Sequence, residues 1–598
     1  MALVSSVETR SEGVAQRVPT VLLVVLGALT LGVFVTLGRA REIWETGAFL
    51  DTDDALRMVQ VRSLLAGQSW YDMTVARMDP PGSFMHWSRT VDIPLALLMK
   101  LFGLFADATT AEALTRLAFP LAMLALLYVA VALTARQVGD RFVQIAAICL
   151  TVATAPMFVQ FIPGRIDHHA PQIVLLVAMT GAMLAAFDAS RAKTAVWSGL
   201  FVAMSLSISV ENLPFIVVLA AAPALIWIVR GDEQRGLLVA FASGLAASLA
   251  ACFFATIGPQ RWFVAACDAY SIGQFAAGLA GAAALGALAL VSPRLSSLRA
   301  RIVAALVAGL APVVALKLIA PACFGDPFVG LDPLVREIWL NNVAEVRKLS
   351  SIAATQPGTA AMLGLPVLFA LLASLVCAWK SEGLQRARLL LLAALIAVGL
   401  AMTCWAVRAY SSVTPLAAIG GAVAAAASLR ALRMKGPLRI VVAVLAALPY
   451  SPAAFALALP AGATSDKPTG DTMACLAPKA MKPLDALKPG LVFAPIDAGS
   501  HLLAFTRHSV LGAPYHRNNS GNRLVIDAFL APPDKAKALV ENSGADYLVI
   551  CPRQMQAVTI AERAPAGLAA ALIAGHIPDW LAPIDIDAAP NMAFRVRR

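Results

Sequence analysis

The sequence predicts an all-α bundle of membrane-spanning helices followed by a small α/β domain. Of the 598 residues, 59% are apolar and only 14% are charged, and the mean hydropathy is +0.75. The apolar residues gather in about thirteen runs, most of them near the length that crosses a bilayer. After residue 459 the chain becomes polar, and strand signals join helix signals. This composition excludes an ordinary soluble enzyme and a disordered chain.

The first apolar run, 19–38, follows a polar segment that carries both charge signs. It lacks a clear small-x-small cleavage site, so we expect a retained anchor rather than a removed signal peptide. Residues 39–113 form a large loop, whose apolar piece 93–105 is too short to span and is expected at the membrane interface. The later runs are rich in Gly and Ala, which suits close helix packing in lipid. These runs lie at 114–134, 142–161, 170–188, 195–210, 213–229, 236–257, 272–292, 302–321, 359–379, 389–406, 410–428 and 440–459.

Basic residues in alternate loops predict the orientation. The chain has 47 Lys and Arg against 36 Asp and Glu, a formal charge of +11. No stripe of alternating basic and aromatic residues is found, so we exclude nucleic acid as a partner. Short basic loops are typical of the cytoplasmic side, which gives a cytoplasmic N-terminus, an odd number of spans and an exported region 460–598. The basic residues of these loops are Arg136 and Arg141; Arg191 and Lys193; Arg230 and Arg235; Arg294, Arg299 and Arg301; Lys380, Arg386 and Arg388; and Arg430, Arg433, Lys435 and Arg439.

The exported region 460–598 has the pattern of a small α/β domain. Apolar runs at 491–496 and 547–551 predict short strands, and 533–542 predicts a helix. Cys475 and Cys551 both belong to this region, whereas the chain has no CxxC motif and no His at ligand spacing. An exported compartment therefore favours a disulfide between them over a metal site.

Three carboxylates, Asp51, Asp53 and Asp54, lie within four residues just after the first span. Such a cluster needs a cation or a solvated loop, because like charges repel. The alternative is a helix N-terminus, in which Asp53 and Asp54 cap a helix over 55–66 and interact with its dipole. The residues alone favour capping, and capping is compatible with metal binding.

A second polar group, Asp167, His168 and His169, occupies the next exported loop. Carboxylate and imidazole together are suitable ligands for a divalent cation. The alternative is a polar turn between two spans. The residues do not decide between the two.

Three single charges lie in other exported loops. Glu345 belongs to the loop 322–357, where the alternative is an amphipathic surface helix. Arg408 lies between two spans, where it can snorkel to the membrane surface or bind a phosphate through its planar guanidinium. Glu211 interrupts two apolar runs and can be a simple acidic start to the following helix. Acids, a His and an Arg that converge on one membrane side would suit a metal-bound phosphate or pyrophosphate.

The order of these motifs resembles that of the GT-C class of membrane glycosyltransferases, and most of all the catalytic subunit of oligosaccharyltransferase. That family has thirteen spans and an exported C-terminal domain. Its metal-binding Asp after the first span matches Asp53, because the segment 62–67 follows at the spacing of the bacterial enzymes. Its acidic pair in the second loop matches Asp167 and His169, where a histidine replaces the second acid. Its functional Glu is similar to Glu345.

The resemblance extends to the donor and acceptor sites. The family's pyrophosphate-binding Arg matches Arg408. Its Trp-Trp-Asp-Tyr-Gly motif is similar to the segment 495–499, which keeps Asp497 and has Pro495 and Ile496 in place of both tryptophans. The region 507–519 follows the family's pattern loosely.

The resemblance implies a GT-C glycosyltransferase of the bacterial inner membrane, with a transmembrane domain at 1–459 and a periplasmic domain at 460–598. It would transfer a sugar from a polyprenyl-phosphate or polyprenyl-pyrophosphate donor to a lipid or polysaccharide acceptor. A protein acceptor, a polar-lipid transporter and a non-catalytic scaffold remain alternatives, although few charges lie inside the spans and no inverted repeat is obvious. The implied residues are Asp53, Asp167 and His169 for a Mg²⁺ or Mn²⁺ ion, Asp53, Asp167 and Glu345 for catalysis, Arg408 for the donor phosphate, and Asp497, Tyr515, His516 and Arg517 for the acceptor.

Overall fold

The computed structural model describes residues 18–326, 328, 330–433, 438–458 and 471–597. The predicted boundary at 459/460 lies outside these residues, as do residues 1–17 and Lys435. Each of the predicted apolar runs forms helix. The helices are Val18–Val35, Ala108–Ala135, Arg141–Val152, His169–Ala186, Ala195–Ile208, Leu213–Arg230, Arg235–Thr256, Ile272–Val291, Leu298–Ile319, Pro357–Trp379, Gly383–Trp405, Ala409–Ala431 and Leu438–Ala447.

The structure does not confirm the predicted number of spans. In the described part of the chain, eight helices are long and apolar enough to cross a membrane, or up to ten if each bent pair is one span. One of the eight stretches, Leu213–Thr256, is 44 residues long and is divided into two helices by the turn Gly231–Gln234. The run 142–161 bends by 74° after Val152, and Ala195–Ile208 has only 14 residues. The multi-pass helical bundle is confirmed, and the count of thirteen spans is not.

Hydrogen bonds gather the basic loops at one end of the bundle. The Arg388 guanidinium donates to the carbonyls of Leu184 at 2.9 Å and Gln137 at 3.2 Å. Arg191 donates to the Gln137 side chain at 3.1 Å. Arg430 lies 3.7 Å from Asp140. Alternate loops therefore share one end, as their basic residues predict, while the membrane side on which this end lies stays a prediction.

The first large loop folds into helices and a short hairpin. Its helices are Leu37–Thr46, Thr52–Leu65 and Arg89–Phe102, and the strand Thr74–Val75 pairs with Ser83–Phe84. The helix predicted from residue 55 begins at Thr52. Its N-cap is Asp51 rather than Asp53 or Asp54, because the Asp51 carboxylate accepts from the backbone N–H of Asp53 at 3.2 Å.

A buried ion-pair network fixes this loop. Asp92 accepts from Arg57 at 2.8 Å and from Arg89 at 3.0 Å, and all three side chains are at most 1% exposed. The Arg57 guanidinium also lies 4.1 Å from the ring centre of Trp87. Two cations around one carboxylate offset part of the cost of burying these charges. These contacts tie the helices Thr52–Leu65 and Arg89–Phe102 of the loop to each other.

The C-terminal region forms a mixed five-stranded sheet with helices around it. The predicted strands at 491–496 and 547–551 are present as Leu491–Phe493 and Tyr547–Ile550, which pair in parallel. The sheet order is Ser509–Val510, Leu491–Phe493, Tyr547–Ile550, Met592–Val596 and Leu581–Pro583, of which the last two strands run antiparallel to their neighbours. The helices are Thr472–Leu476, Pro478–Met481, Gly499–Phe505, Asn519–Leu530, Pro533–Asn542, Met555–Arg563 and Leu568–Ile573.

The first large loop supports the C-terminal region. Arg77 donates to the carbonyls of Leu503 at 2.7 Å and of Thr506 and His508 at 2.8 Å. Arg62 donates to the Ala504 carbonyl at 2.6 Å. Hydrogen bonds from Arg62 and Arg77 to backbone carbonyls hold the helix Gly499–Phe505 against the first large loop. The neighbouring segment 495–498 is thereby held over the end of the bundle opposite the basic loops.

The described part of the chain contains two disulfides. The sulfur atoms of Cys267 and Cys323 are bonded, which ties the loop after residue 256 to the loop after residue 319. This pair has no local sequence signal, because each Cys lies at the end of a different span. Cys475 and Cys551 are bonded as well, across a sequence separation of 76 residues.

We expect the Cys475–Cys551 bond to form in the native protein and to stabilise the C-terminal region. Closing a loop of this length contributes roughly 4 kcal/mol in the chain-entropy model, and less in practice. Alkylation of unreduced, denatured protein should leave Cys475 and Cys551 unmodified, while the free cysteines Cys149, Cys252, Cys377 and Cys404 react. Two free thiols would contradict the pairing and would also indicate that this region faces a reducing compartment.

Candidate active site

A cavity of about 800 Å³ lies between the C-terminal region and the end of the bundle opposite the basic loops. Most of the predicted site residues line it: Asp53, His169, Glu345, Arg408, Asp497, Tyr515 and His516. Asp167 and Arg517 are not among the lining residues. The chain therefore brings to one cavity groups that are separated by several hundred residues in sequence.

Asp53, His168 and His169 form a group that could hold a metal ion. One ligand atom from each of the three lies within 4.8 Å of the others. Asp53 belongs to the first turn of the helix Thr52–Leu65, and the two histidines stand at the start of the helix His169–Ala186. Burial, together with the charges of Asp51 and Asp167, raises the pKa of the Asp53 carboxyl well above its usual value. A divalent cation would relieve this repulsion.

Asp167 lies beside the group rather than within it. Its carboxylate is bound by the Arg165 guanidinium and accepts from the backbone N–H of His169 at 2.9 Å. His168 is thus grouped with Asp53 and His169, and Asp167 is not. The predicted metal ligands were Asp53, Asp167 and His169. No local sequence feature distinguishes His168 from His169 as a metal ligand, because the two are adjacent in the same loop.

Arg165 is the centre of a buried network behind the histidines. Besides Asp167, it contacts Asp51 at 2.9 Å and Asp54 at 3.2 Å. Asp54 also accepts from the backbone N–H groups of Ile166 at 2.8 Å and Asp167 at 3.2 Å. These bonds clamp the second exported loop onto the first helix turn, so that the histidines face Asp53.

The acids of this network are held in different states of ionisation. Burial raises the pKa of Asp54 to about 7 in spite of its contact with Arg165. Burial acts in the same direction on Asp51, but there the Arg165 guanidinium prevails and lowers the pKa to about 2. A single guanidinium cannot fully compensate all the carboxylates around it, and this concentration of negative charge is a suitable environment for a cation.

Glu211 connects the histidines with Arg408. Its Oε1 lies 3.0 Å from Arg408 Nη1 and 3.5 Å from His168 Nε2, while its Oε2 lies 3.4 Å from His169 Nδ1. Burial opposes ionisation, yet Arg408 and the histidines hold the pKa of Glu211 well below its usual value. Local sequence predicts Glu211 only as a helix start, because an acid before an apolar helix is common.

Glu345 and Arg408 are brought together by backbone pairing. The N–H of Arg408 donates to the Glu345 carbonyl at 3.1 Å, and the N–H of Val407 donates to the Arg347 carbonyl at 3.1 Å. Glu345 Oε2 then lies 3.8 Å from His169 Nε2. The long exported loop therefore places its acid beside the histidines, in agreement with the predicted position.

The C-terminal region forms the opposite wall of the cavity. Burial raises the pKa of Asp497 to about 6, and the Trp339 side chain forms a hydrogen bond with its carboxyl group. The Tyr515 hydroxyl donates to the Thr52 carbonyl at 3.1 Å and lies 3.1 Å from Ser500 Oγ. Tyr515 thereby connects this wall to the first turn of the helix that carries Asp53. The indole beside Asp497 belongs to Trp339, which lies in a distant loop, and not to residue 495 or 496.

His516 and Arg517 are engaged by Asp268. Asp268 Oδ2 lies 2.6 Å from His516 Nε2, and the Arg517 guanidinium contacts both carboxylate oxygens at 2.8 and 2.9 Å. His86, Asp268 and His516 form a second group whose ligand atoms lie within 4.8 Å of one another. The bidentate Arg517 already occupies the Asp268 carboxylate, so this second group is less suited to a cation than the first.

Comparison with known proteins identifies the fold. No protein-family model matches the chain, and no curated protein sequence matches it. The oligosaccharyltransferase of Archaeoglobus fulgidus, tethered with an acceptor peptide containing the NVT sequon, matches with a TM-score of 0.67 and 15% identity, covering 97% of this chain and 74% of that chain.

Two further structures from Archaeoglobus fulgidus agree with this match. The oligosaccharyltransferase AglB in complex with an inhibitory peptide and a dolichol-phosphate has a TM-score of 0.65 and 15% identity, covering 94% of this chain and 72% of that chain. A complex of the oligosaccharyltransferase with Zn and sulfate has a TM-score of 0.60 and 17% identity, covering 91% and 70%. The chain thus shares the fold of these oligosaccharyltransferases, and the resemblance predicted from the sequence is confirmed at the level of the fold. At these identities the likeness concerns the fold.

Proposed function

We propose that this protein is a metal-assisted glycosyltransferase that uses a polyprenyl-linked sugar donor on the exported face of a bacterial inner membrane. The observation that carries the proposal is the convergence of Asp53, His168, His169, Glu211 and Arg408 in one cavity. In this cavity a cation site and a phosphate-binding guanidinium are adjacent. The fold supports the proposal, since its neighbours include complexes with dolichol-phosphate and with Zn and sulfate.

The donor set fits a divalent metal with affinity for nitrogen. Asp53 would provide a carboxylate oxygen, and His168 and His169 would provide imidazole nitrogens. Imidazole suits Zn²⁺ and other transition ions, whereas Mg²⁺ prefers oxygen ligands. Of the two predicted ions, Mn²⁺ is therefore favoured over Mg²⁺, and Zn²⁺ joins it as a candidate. When bound, such an ion would neutralise charge on the leaving phosphate.

The chain's own residues would perform the remaining tasks. Arg408 would bind a phosphate oxygen of the donor through its guanidinium. Glu345, on the opposite side of His169, would approach the acceptor or the cation from the long exported loop. Asp167 would act through His169, because the Asp167 carboxylate accepts a hydrogen bond from the His169 backbone N–H. The reaction also requires a carboxylate that takes the proton from the acceptor's nucleophile. We do not assign this role to one particular acid around Asp53.

The acceptor would bind against the C-terminal wall. Asp497 can accept a hydrogen bond from a hydroxyl group, and Tyr515 and His516 also line the cavity. The hydroxyl-rich surface of a glycolipid or polysaccharide suits these groups. Arg517 would support this wall through its ion pair with Asp268 rather than contact the acceptor.

We expect no transfer to Asn in an Asn-x-Ser/Thr sequon. Pro495 and Ile496 offer no side-chain donor where the family has paired tryptophans. The remaining indole, Trp339, already forms a hydrogen bond with Asp497. A site that reads a hydroxyl through hydrogen bonds discriminates poorly when these partners are missing. Purified protein, its lipid-linked donor and a fluorescent sequon peptide should give no glycopeptide.

A protein acceptor is the second candidate, because the structural neighbours include one tethered with an NVT acceptor peptide. Robust modification of the peptide that is lost when its Asn is replaced by Gln would establish this candidate and reject our prediction. Mass spectrometry of lipids and glycans from a deletion strain would identify the natural pair, since the donor should accumulate and the glycosylated product should disappear. A transporter, by contrast, would leave the purified donor chemically intact.

A further inference from the structure

We infer that the donor is a polyprenyl monophosphate sugar rather than a pyrophosphate-linked one, and that Glu211 sets this preference. The inference rests on the proposed function and narrows its donor class. A sugar joined to the lipid through one phosphate carries one negative charge, whereas the corresponding pyrophosphate carries two. The two donors therefore differ in the positive charge that their binding site must supply.

The cavity supplies little positive charge. Among the described residues that line it, Arg408 is the one Arg or Lys side chain. Six acids line the same cavity: Asp51, Asp53, Glu211, Asp268, Glu345 and Asp497. Arg165 and Arg517 offset Asp51 and Asp268 from behind the wall. Even with one divalent cation at Asp53 and the histidines, a second phosphate would meet mostly carboxylates.

Glu211 reduces the available positive charge further. Its Oε1 lies 3.0 Å from Arg408 Nη1, so the guanidinium already has one anionic partner. The same carboxylate faces both His168 and His169, the groups nearest to the proposed cation. Glu211 thus occupies the position in which a second phosphate could contact Arg408 and the histidines together. The Glu211 carboxylate already supplies, at this place, the negative charge that the second phosphate of a pyrophosphate would add.

This arrangement predicts how the two lipids compete. A single phosphate can contact the free edge of Arg408 and the cation without displacing Glu211. A pyrophosphate must either displace Glu211 from Arg408 or place its extra charge beside it. Like charges in a partly buried site repel each other strongly, because water screens them poorly. Removal of the Glu211 charge should therefore favour the pyrophosphate selectively.

Equilibrium binding of undecaprenyl phosphate and undecaprenyl pyrophosphate to the purified full-length protein in saturating Mn²⁺ tests this. We expect the wild type to bind the monophosphate roughly tenfold more tightly. Glu211→Gln should shift the ratio of the two affinities about tenfold toward the pyrophosphate. Glu337→Gln is the matched control, since it removes one exposed exported charge outside the cavity, and it should leave the ratio unchanged.

The possible outcomes separate the inference from the proposal on which it rests. Equal or tighter binding of the pyrophosphate by the wild type would overturn the inference while supporting a polyprenyl-linked donor. An equal effect of Glu211→Gln on both lipids would also overturn it. Binding of neither lipid would remove the proposed function itself. The wild-type ratio is informative even if the Glu211 variant fails to fold.

Discussion

Asp53→Asn is expected to reduce sugar transfer by at least about 100-fold while expression and membrane insertion stay normal. An amide is a poor ligand for a hard divalent cation, and Asp53 is the carboxylate that groups with both histidines at metal-binding distance. Its side chain is partly exposed to the cavity, so the substitution leaves the fold intact. Asp167→Asn should abolish transfer as well, because its carboxylate holds the backbone of His169 and pairs with Arg165.

Metal binding provides a second measurement for the Asp53 prediction. The wild type should be stabilised against heat by Mn²⁺ or Zn²⁺, and Asp53→Asn should lose most of this stabilisation. Asp107→Asn is a suitable control, since Asp107 caps a helix in the same exported loop and Asn caps equally well. Transfer by Asp53→Asn within a few-fold of wild type would remove the metal site from the proposed mechanism.

Arg165→Met is expected to be the most destabilising substitution at the site. It leaves Asp54 and Asp167, which are at most 1% exposed, without their cation. Removal of one partner from a buried ion pair typically costs about 3–5 kcal/mol, because a charge stays buried without compensation. The clamp between the two exported loops should open, and transfer should be lost with it.

Thermal unfolding of the detergent-solubilised variants measures this effect. Arg523→Met is the matched control, because its partners Asp332 and Asp527 are partly exposed and such pairs contribute only about 0–1 kcal/mol. Arg165→Lys keeps the charge but cannot reach three carboxylates at once, so it should fall between the wild type and Arg165→Met. Wild-type stability of Arg165→Met would show that the network is not needed to hold the loop.

Several site residues were predictable from sequence. Because every second loop is basic, the loops between them, which carry these residues, are expected on one side of the membrane. The order of Asp53, His169, Glu345 and Arg408 along the exported loops was sufficient to predict their convergence, and all four line the cavity. Helical runs were predictable for the same reason, because apolar periodicity is a local signal.

Other features depend on contacts that no local pattern reveals. Glu211 resembled an ordinary helix start until Arg408 and the histidines were seen around it. Asp268 gains its partners only when the C-terminal region folds back across some 250 residues. The predicted number of spans is not confirmed, because a hydrophobic run does not show where it bends. The run 142–161 breaks before Pro156, and the run 440–459 breaks at Pro449 and Pro452, where proline restricts the helix.

The most direct test of a metal-assisted glycosyltransferase is consumption of a lipid-linked sugar by the purified protein. The polyprenyl lipid fraction from a deletion strain, in which the donor should accumulate, provides the substrate, and mass spectrometry follows each lipid with time. With Mn²⁺ and exported glycolipids as acceptors, the wild type should transfer the sugar of one lipid-linked species to an acceptor hydroxyl and leave the free polyprenyl phosphate, and chelation of the metal or Asp53→Asn should stop the conversion. An unchanged lipid fraction in the presence of wild type, Mn²⁺ and exported glycolipids, or equal conversion by Asp53→Asn, would contradict this function.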